Sequence, residues 1–208
     1  MKTLRKNLLA VPVFLGIVIA GCASPNIVLI PSIPSPAATG DGVNRGSVQL
    51  VIDGTEDSQK LSSYEETTEK TQVGRSESLG VHLSDFWVEE PPPFIVKSML
   101  ENNLKAWGYQ AVSDQQRIKL NGPVNQFALN NRAINAFQFQ ADGVIDIDLS
   151  VFKDGFQTHR INYAETCTFK TASMPGKENM NKVFNECVAQ IQKRLDEDKD
   201  LRSALENN

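Results

Sequence analysis

The side chains able to do chemistry are few and widely spaced. Among 208 residues there are three cysteines (Cys22, Cys167, Cys187) and two histidines (His82, His159). That set is too small and too scattered for a zinc framework of ordinary spacing. Neither histidine lies near a serine or cysteine in a nucleophile motif, and no phosphate-binding loop or dinucleotide fingerprint occurs, so no catalytic residue and no cofactor is expected. Asp142, Asp146 and Asp148 fall at even spacing, which on a strand sends all three to one face. Calcium sites draw their oxygens from a curved loop. These carboxylates therefore read as solvated partners of Arg160 or Lys170 on a hairpin neighbour, and no metal is expected. Cys167 and Cys187 each fall on the apolar side of a predicted element. A disulfide closing a loop of about 20 residues is the expected pairing, and two buried thiols are the alternative. No Cys-x-x-Cys redox arrangement is present.

Cys22 sits in a different context. Lys2, Arg5 and Lys6 precede an uncharged apolar stretch of 13 residues, Leu8 to Ala20. Crossing a bilayer takes roughly 20 apolar residues, so the stretch fits a secretory signal better than a permanent anchor. The tetrapeptide Ile19-Ala20-Gly21-Cys22 resembles the lipobox of bacterial lipoproteins. The resemblance implies cleavage between Gly21 and Cys22, a diacylglyceryl thioether on the Cys22 sulfur, and usually an amide-linked acyl chain as well. One chain anchors only marginally, at about 0.8 kcal/mol per buried CH₂, whereas two or three make detachment slow. The residues alone also admit an ordinary cleaved signal with a chance cysteine, or a short uncleaved anchor. Ala23 and Ser24 follow Cys22. In related Gram-negative proteins the absence of an aspartate there favours the outer membrane, facing the periplasm.

Loss of residues 1–21 removes three cations and no acids, leaving 18 basic against 25 acidic residues and a net charge of −7. An acidic chain without a long basic run is not expected to bind nucleic acid. Hydrophobic residues make up 40% of the chain, enough for a core and against wholesale disorder. The division expected is a signal over 1–21, a lipidated Pro-rich tether over 22–46, and one domain over 47–208. Within the tether, Ile27-Val28-Leu29-Ile30 is apolar enough to add to a sheet edge, which would shorten the leash.

The elements follow from periodicity. Ser47–Ile52 predicts a strand. Residues 55–78 are polar and read as a surface excursion or a partner-binding loop. Leu79–Val88 predicts a short strand with Leu79, Val81 and Leu83 on one face. Pro91-Pro92-Pro93 opens a helix over Phe94–Trp107, with Val96, Met99, Leu100, Leu104 and Trp107 on one side and Gly108 as a left-handed C-cap. Between 114 and 138, strand pieces are expected, broken at Asn121-Gly122-Pro123. Residues 140–170 predict a hairpin that turns at Lys153-Asp154-Gly155. On its return strand Glu165 falls on the apolar face, which calls for an edge position or a bulge. Asn179–Leu195 predicts a second helix with a Val183, Phe184, Cys187, Val188, Ile191, Leu195 stripe, and the residues after it a short or frayed terminal helix. Together these give an α+β fold: an antiparallel sheet with two main helices packed on one face.

Cys22, the Ile27–Pro31 stretch, Trp107-Gly108-Tyr109, Gly122-Pro123-Val124-Asn125, Asp154-Gly155 and Ile161-Asn162-Tyr163-Ala164 together resemble the YajG-type family of bacterial lipoproteins. The family carries no agreed activity or catalytic residues. Related envelope lipoproteins act as adaptors, which implies a non-enzymatic scaffold held to the membrane through Cys22 and partnered by an envelope protein. The alternative is a small-ligand or lipid-binding module serving an envelope transport system. A cavity of about 300 Å³ or more between helices and sheet would favour that alternative.

Overall fold

The computed structural model describes residues 26–36, 43–54, 71–78 and 81–206. Gly21, Cys22 and residues 55–70 lie outside the described residues. The elements are β1 (Ile27–Leu29), β2 (Gly46–Gly54), β3 (Thr71–Ser78), β4 (Val81–Val88), α1 (Pro92–Ala106), β5 (Tyr109–Val112), β6 (Ile118–Asn135), β7 (Gln138–Lys153), β8 (Phe156–Thr171), α2 (Lys177–Glu197) and α3 (Lys199–Glu206).

The frame of the molecule is the meander β6–β7–β8, two long antiparallel hairpins. Lys153 and Phe156 close the second around Asp154 and Gly155, whose φ values of 51° and 86° are those of the mirror-image turn that suits strand twist. Gly143, Ile145, Ile147, Leu149 and Val151 face the core from β7, as the alternation predicts. Glu165 stays in register opposite Ile145. Its position on the edge strand β8 lets Arg194 of α2 reach it, at 2.7 Å.

The sheet is mixed, which corrects the antiparallel expectation. The first half of β6 runs parallel to β2 (Gln49 opposite Lys119) and the second half parallel to β3 (Gly74 opposite Leu129). β5 is parallel to β2 and β1 to β4. Such pairings are made by crossovers such as α1, which leave no local trace in either strand. Three helices lie against this curled sheet: α1 on β2, β5 and β6, α2 chiefly on β8, β7 and β1, and α3 on β8 and β7. No helix among the described residues is long and apolar enough to cross a membrane.

Three strand readings change. Residues 71–78 are an interior strand, not part of an excursion; the buried Ser76 hydroxyl accepts a hydrogen bond from the buried Asn131 amide at 3.1 Å, which gives the serine oxygen a partner inside the sheet. On β4 the buried positions are Ser84, Phe86 and Val88, the opposite phase from Leu83. β6 passes through Gly122-Pro123 unbroken. A Cβ at Gly122 would overlap the Asp148 carbonyl of β7, so glycine permits the close approach. Pro123 is followed by a register shift between Val124 and Gln126, the irregularity where a strand tolerates proline.

The helices follow their stripes. In α1, Ile95, Val96, Met99, Leu100 and Leu104 are buried, and Gly108 just past the end takes φ 86°. In α2, all six apolar positions of the predicted stripe are buried. Phe184 meets Phe127 of β6 edge-to-face with centroids 5.5 Å apart. The terminal α3 is docked, burying Leu201 and Leu205. Asp198 begins it: one carboxylate oxygen accepts the Leu201 N–H at 2.7 Å and the other accepts the buried Tyr163 hydroxyl at 2.6 Å. Burial first, then Asp198, pushes the Tyr163 phenol well above its ordinary range. Asp198→Ala removes a cap and a charge-assisted bond together, and should lower stability by about 2 kcal/mol, read as a fall in the urea midpoint at unchanged slope.

Within the segment expected to be tether, residues 27–32 join the domain, as the apolar 27–30 stretch allows. β1 adds to the β4 edge, with Ile27 opposite Phe86 and Leu29 buried. Beyond it, Asn181 and Asn185, one helical turn apart on α2, accept the N–H groups of Ile30 and Ser32 at 3.0 and 2.8 Å.

Candidate functional site

The polar face of the β6–β7–β8 meander gathers most of the charged groups singled out by spacing. Asp142 accepts bonds from the Thr168 hydroxyl at 2.9 Å and from the Gln140 amide at 2.7 Å, with Arg132 at 3.7 Å. Asp146 accepts from Asn162 at 2.6 Å and Asn125 at 3.3 Å. Asp148 pairs with Arg160 at 3.0 Å and also accepts from Asn162 at 3.2 Å. Arg160 is thus the cross-strand partner, while Lys170 stands opposite Gln140. Each carboxylate is held by donors from neighbouring strands, an arrangement that makes a fixed polar surface. Among the described residues no group of three or more His, Cys, Asp or Glu could hold a metal ion.

Burial pushes the Asp148 carboxyl up, but hydrogen bonds from Asn125 and Asn162, with the bond and charge of Arg160, outweigh it and hold the group below its ordinary value of 3.8. Stability from a depressed carboxylate is present above the ordinary value and is lost as pH falls through the folded one. Arg160→Ala should therefore move the Asp148 titration upward in a carboxyl carbon NMR experiment. The advantage of the parent over that variant in denaturation should fade in the same acid range.

At the Asp142 end this face forms a groove of about 600 Å³, lined among others by Arg75, Glu77, Arg132, Asp142, Thr166 and Thr168. Arg75 and Glu77 pair along β3 at 2.9 Å. These β3 and β6 residues escape a sequence reading because 71–78 shows no apolar alternation to mark a strand. A second cleft, of about 650 Å³, lies where the end of α1 meets β5 and is lined by Val43, Asn44, Asn102, Lys105 and Gln110. All five are exposed, so this is an open surface cleft. The space between helices and sheet is filled by one continuous core containing Trp107, Tyr163, Phe86 and Phe184.

The histidines do not meet. His82 is level with Glu77 and hence Arg132, whereas His159 is level with Val151 and hence Leu120. Twelve residues of register separate them, roughly 40 Å at the usual rise per strand residue. His82 Nε2 lies 3.4 Å from Asp85, and His159 Nε2 is buried without a hydrogen-bond partner among the described residues. The Cys167 and Cys187 sulfurs meet between β8 and α2 with Cα atoms 5.6 Å apart, within the span of a disulfide. Gly143, opposite Cys167 on β7, leaves room for the pair: a Cβ there would lie 3.1 Å from the Cys187 sulfur.

The fold is shared with a Xanthomonas campestris protein of the DUF330 family, which is 10% identical over 83% of this chain and 92% of its own, with a TM-score of 0.52. A minor lipoprotein from Acinetobacter baumannii is 10% identical over 74% of this chain and 92% of its own, with a TM-score of 0.37. Rare lipoprotein B from Shewanella oneidensis is 8% identical over 71% and 89%, with a TM-score of 0.38. No protein-family model and no curated protein sequence matches the chain.

Proposed function

We propose that this chain is a lipid-anchored, non-enzymatic adaptor or scaffold of the YajG-type, held by Cys22 on the periplasmic face of the outer membrane. The observation that carries the reading is the distance in sequence between the lipobox and the fold. Cys22 precedes β1 by five residues, and β1 is paired into the sheet. An acylated Cys22 would hold the whole domain against the bilayer, with at most about 17 Å of extended chain between them. The polar face, with its engaged carboxylates and its groove, is a surface suited to a protein partner. The test is photo-crosslinking in intact cells from Thr168 in the groove and from the exposed Glu101 of α1 as the control. The reading expects one discrete envelope-protein adduct from Thr168 and none from Glu101. The groove's 600 Å³ also suits a polar small molecule. Recovery of a specific lipid or metabolite with the purified protein, without any protein adduct, would reverse the order of the two readings.

The export implied by this reading places Cys167 and Cys187 in an oxidising compartment, and the disulfide between them is part of the proposal. Their separation of 20 residues corresponds to about 3 kcal/mol in the chain-entropy account. Cys187→Ser should lower stability by about that amount, and reduction of the parent should add two hydrogens to its mass.

A further inference from the structure

One end of the sheet is apolar at its tip. The turn joining β6 to β7 carries Phe137, 83% exposed, with Ile134 at 44% beside it. Met174, also 44% exposed, follows the end of β8 at the same end, since Phe139 stands opposite Thr171. A phenylalanine this open gains nothing from the fold, and the opposite end of the meander supplies a comparison in Phe156, 76% exposed beside the other turn.

The register shows which end faces the anchor. Ile27 is level with Phe86, Phe86 with Gly74, and Gly74 with Leu129. Because β1 is parallel to β4 and β4 antiparallel to β3 and β6, the chain preceding Ile27 leaves toward the β6–β7 turn and away from Phe156. Even fully extended, the five residues back to Cys22 bring it only to about the level of Ala133, about three residues or 10 Å short of the turn. If the Cys22 sulfur sits at the lipid surface and the strands stand along the bilayer normal, the turn reaches that surface and passes into it. The overshoot matches the 5–10 Å to which interfacial apolar groups sink. Arg132 and Lys170, both level with Gln140, then stand about 10 Å behind the tip, at the depth of lipid phosphates. Glu77 and Asp142 lie beside Arg132, so the attraction of that layer is modest.

We infer that the β6–β7 turn, led by Phe137 with Ile134 and Met174, is a second membrane contact that seats the domain end-on in the lipid interface. This inference rests on the anchoring reading above. It fixes the orientation of the domain: the α1–β5 end and Phe156 point away from the bilayer, and the groove stands near the headgroups.

The test uses the full-length processed protein in vesicles of phosphatidylethanolamine and phosphatidylglycerol with brominated acyl chains, which quench nearby indoles. Phe137→Trp and Phe156→Trp both substitute exposed side chains, so each should fold, and each is read as the difference from the parent, which already has Trp87 and Trp107. The added emission at position 137 should fall by at least about half and shift to the blue, as for an indole at interfacial depth, while that at position 156 should be unchanged. If the protein floats with the vesicles and Phe137→Trp is not quenched, the seating is wrong and the anchor stands. Equal quenching at both positions would mean a domain lying flat and would also overturn it. If the protein does not float and Cys22 carries no lipid, the anchoring reading itself fails, and the end-on seating with it.

Discussion

Gly74→Ala should lower stability by upward of about 4 kcal/mol, a loss reserved for changes with a specific structural cause. Gly74 lies on β3 between β4 and β6, opposite Phe86 on one side and Leu129 on the other. A Cβ built there would overlap the Leu129 carbonyl oxygen, which is backbone and cannot turn aside. One methyl group would thus force apart the β3–β6 junction that joins β1, β3 and β4 to the meander. Gly176→Ala is the matching control. Gly176 begins α2, and a methyl group added there would meet nothing within 4 Å, so the cost should stay below about 1 kcal/mol. Comparable denaturation midpoints for the two variants would show that β3 does not pair with β6 as described.

Cys22→Ser should abolish membrane association. With the acyl chains gone, the remaining contact is one apolar turn with a weakly cationic layer behind it, and the mature net charge of −7 opposes binding to anionic lipid. The variant should move from the membrane pellet almost entirely to the soluble fraction while keeping its fold, because β1 begins beyond the substituted residue. A variant that still sediments with outer membranes and still takes up labelled fatty acid would remove the basis of the proposed function.

What could be read in the residues depended on how local the determining physics was. The β7–β8 hairpin and α2 were legible because a turn signal or an unbroken apolar stripe lies within one segment. Asp154-Gly155 specifies the turn, and Val183 to Leu195 specifies the buried face. β3 was not legible: its single large apolar inward residue is Val73, and Ser76 is buried only because Asn131, 55 positions away, completes its hydrogen bond. The phase of β4 is hidden for a related reason, since the β3–β4 register shifts between Ser76 and Glu77. Continuity of β6 through Pro123 depends on β2 and β7 flanking it, which no window around the proline reveals. The same division holds at the site. Alternation along β7 brought Asp142, Asp146 and Asp148 to the wet face, but Arg75, Glu77 and Arg132 reach the groove through the parallel β3–β6 pairing. The direction in which Ile27 points back toward Cys22 is likewise a product of four strands in register.

Mass spectrometry of the intact protein, purified from the membranes of cells that make it naturally, tests the central claim most directly. The account predicts a chain lacking residues 1–21 whose first residue, Cys22, bears a diacylglyceryl thioether and an amide-linked acyl chain. A chain that still begins at Met1 and has an unmodified Cys22 thiol would contradict it.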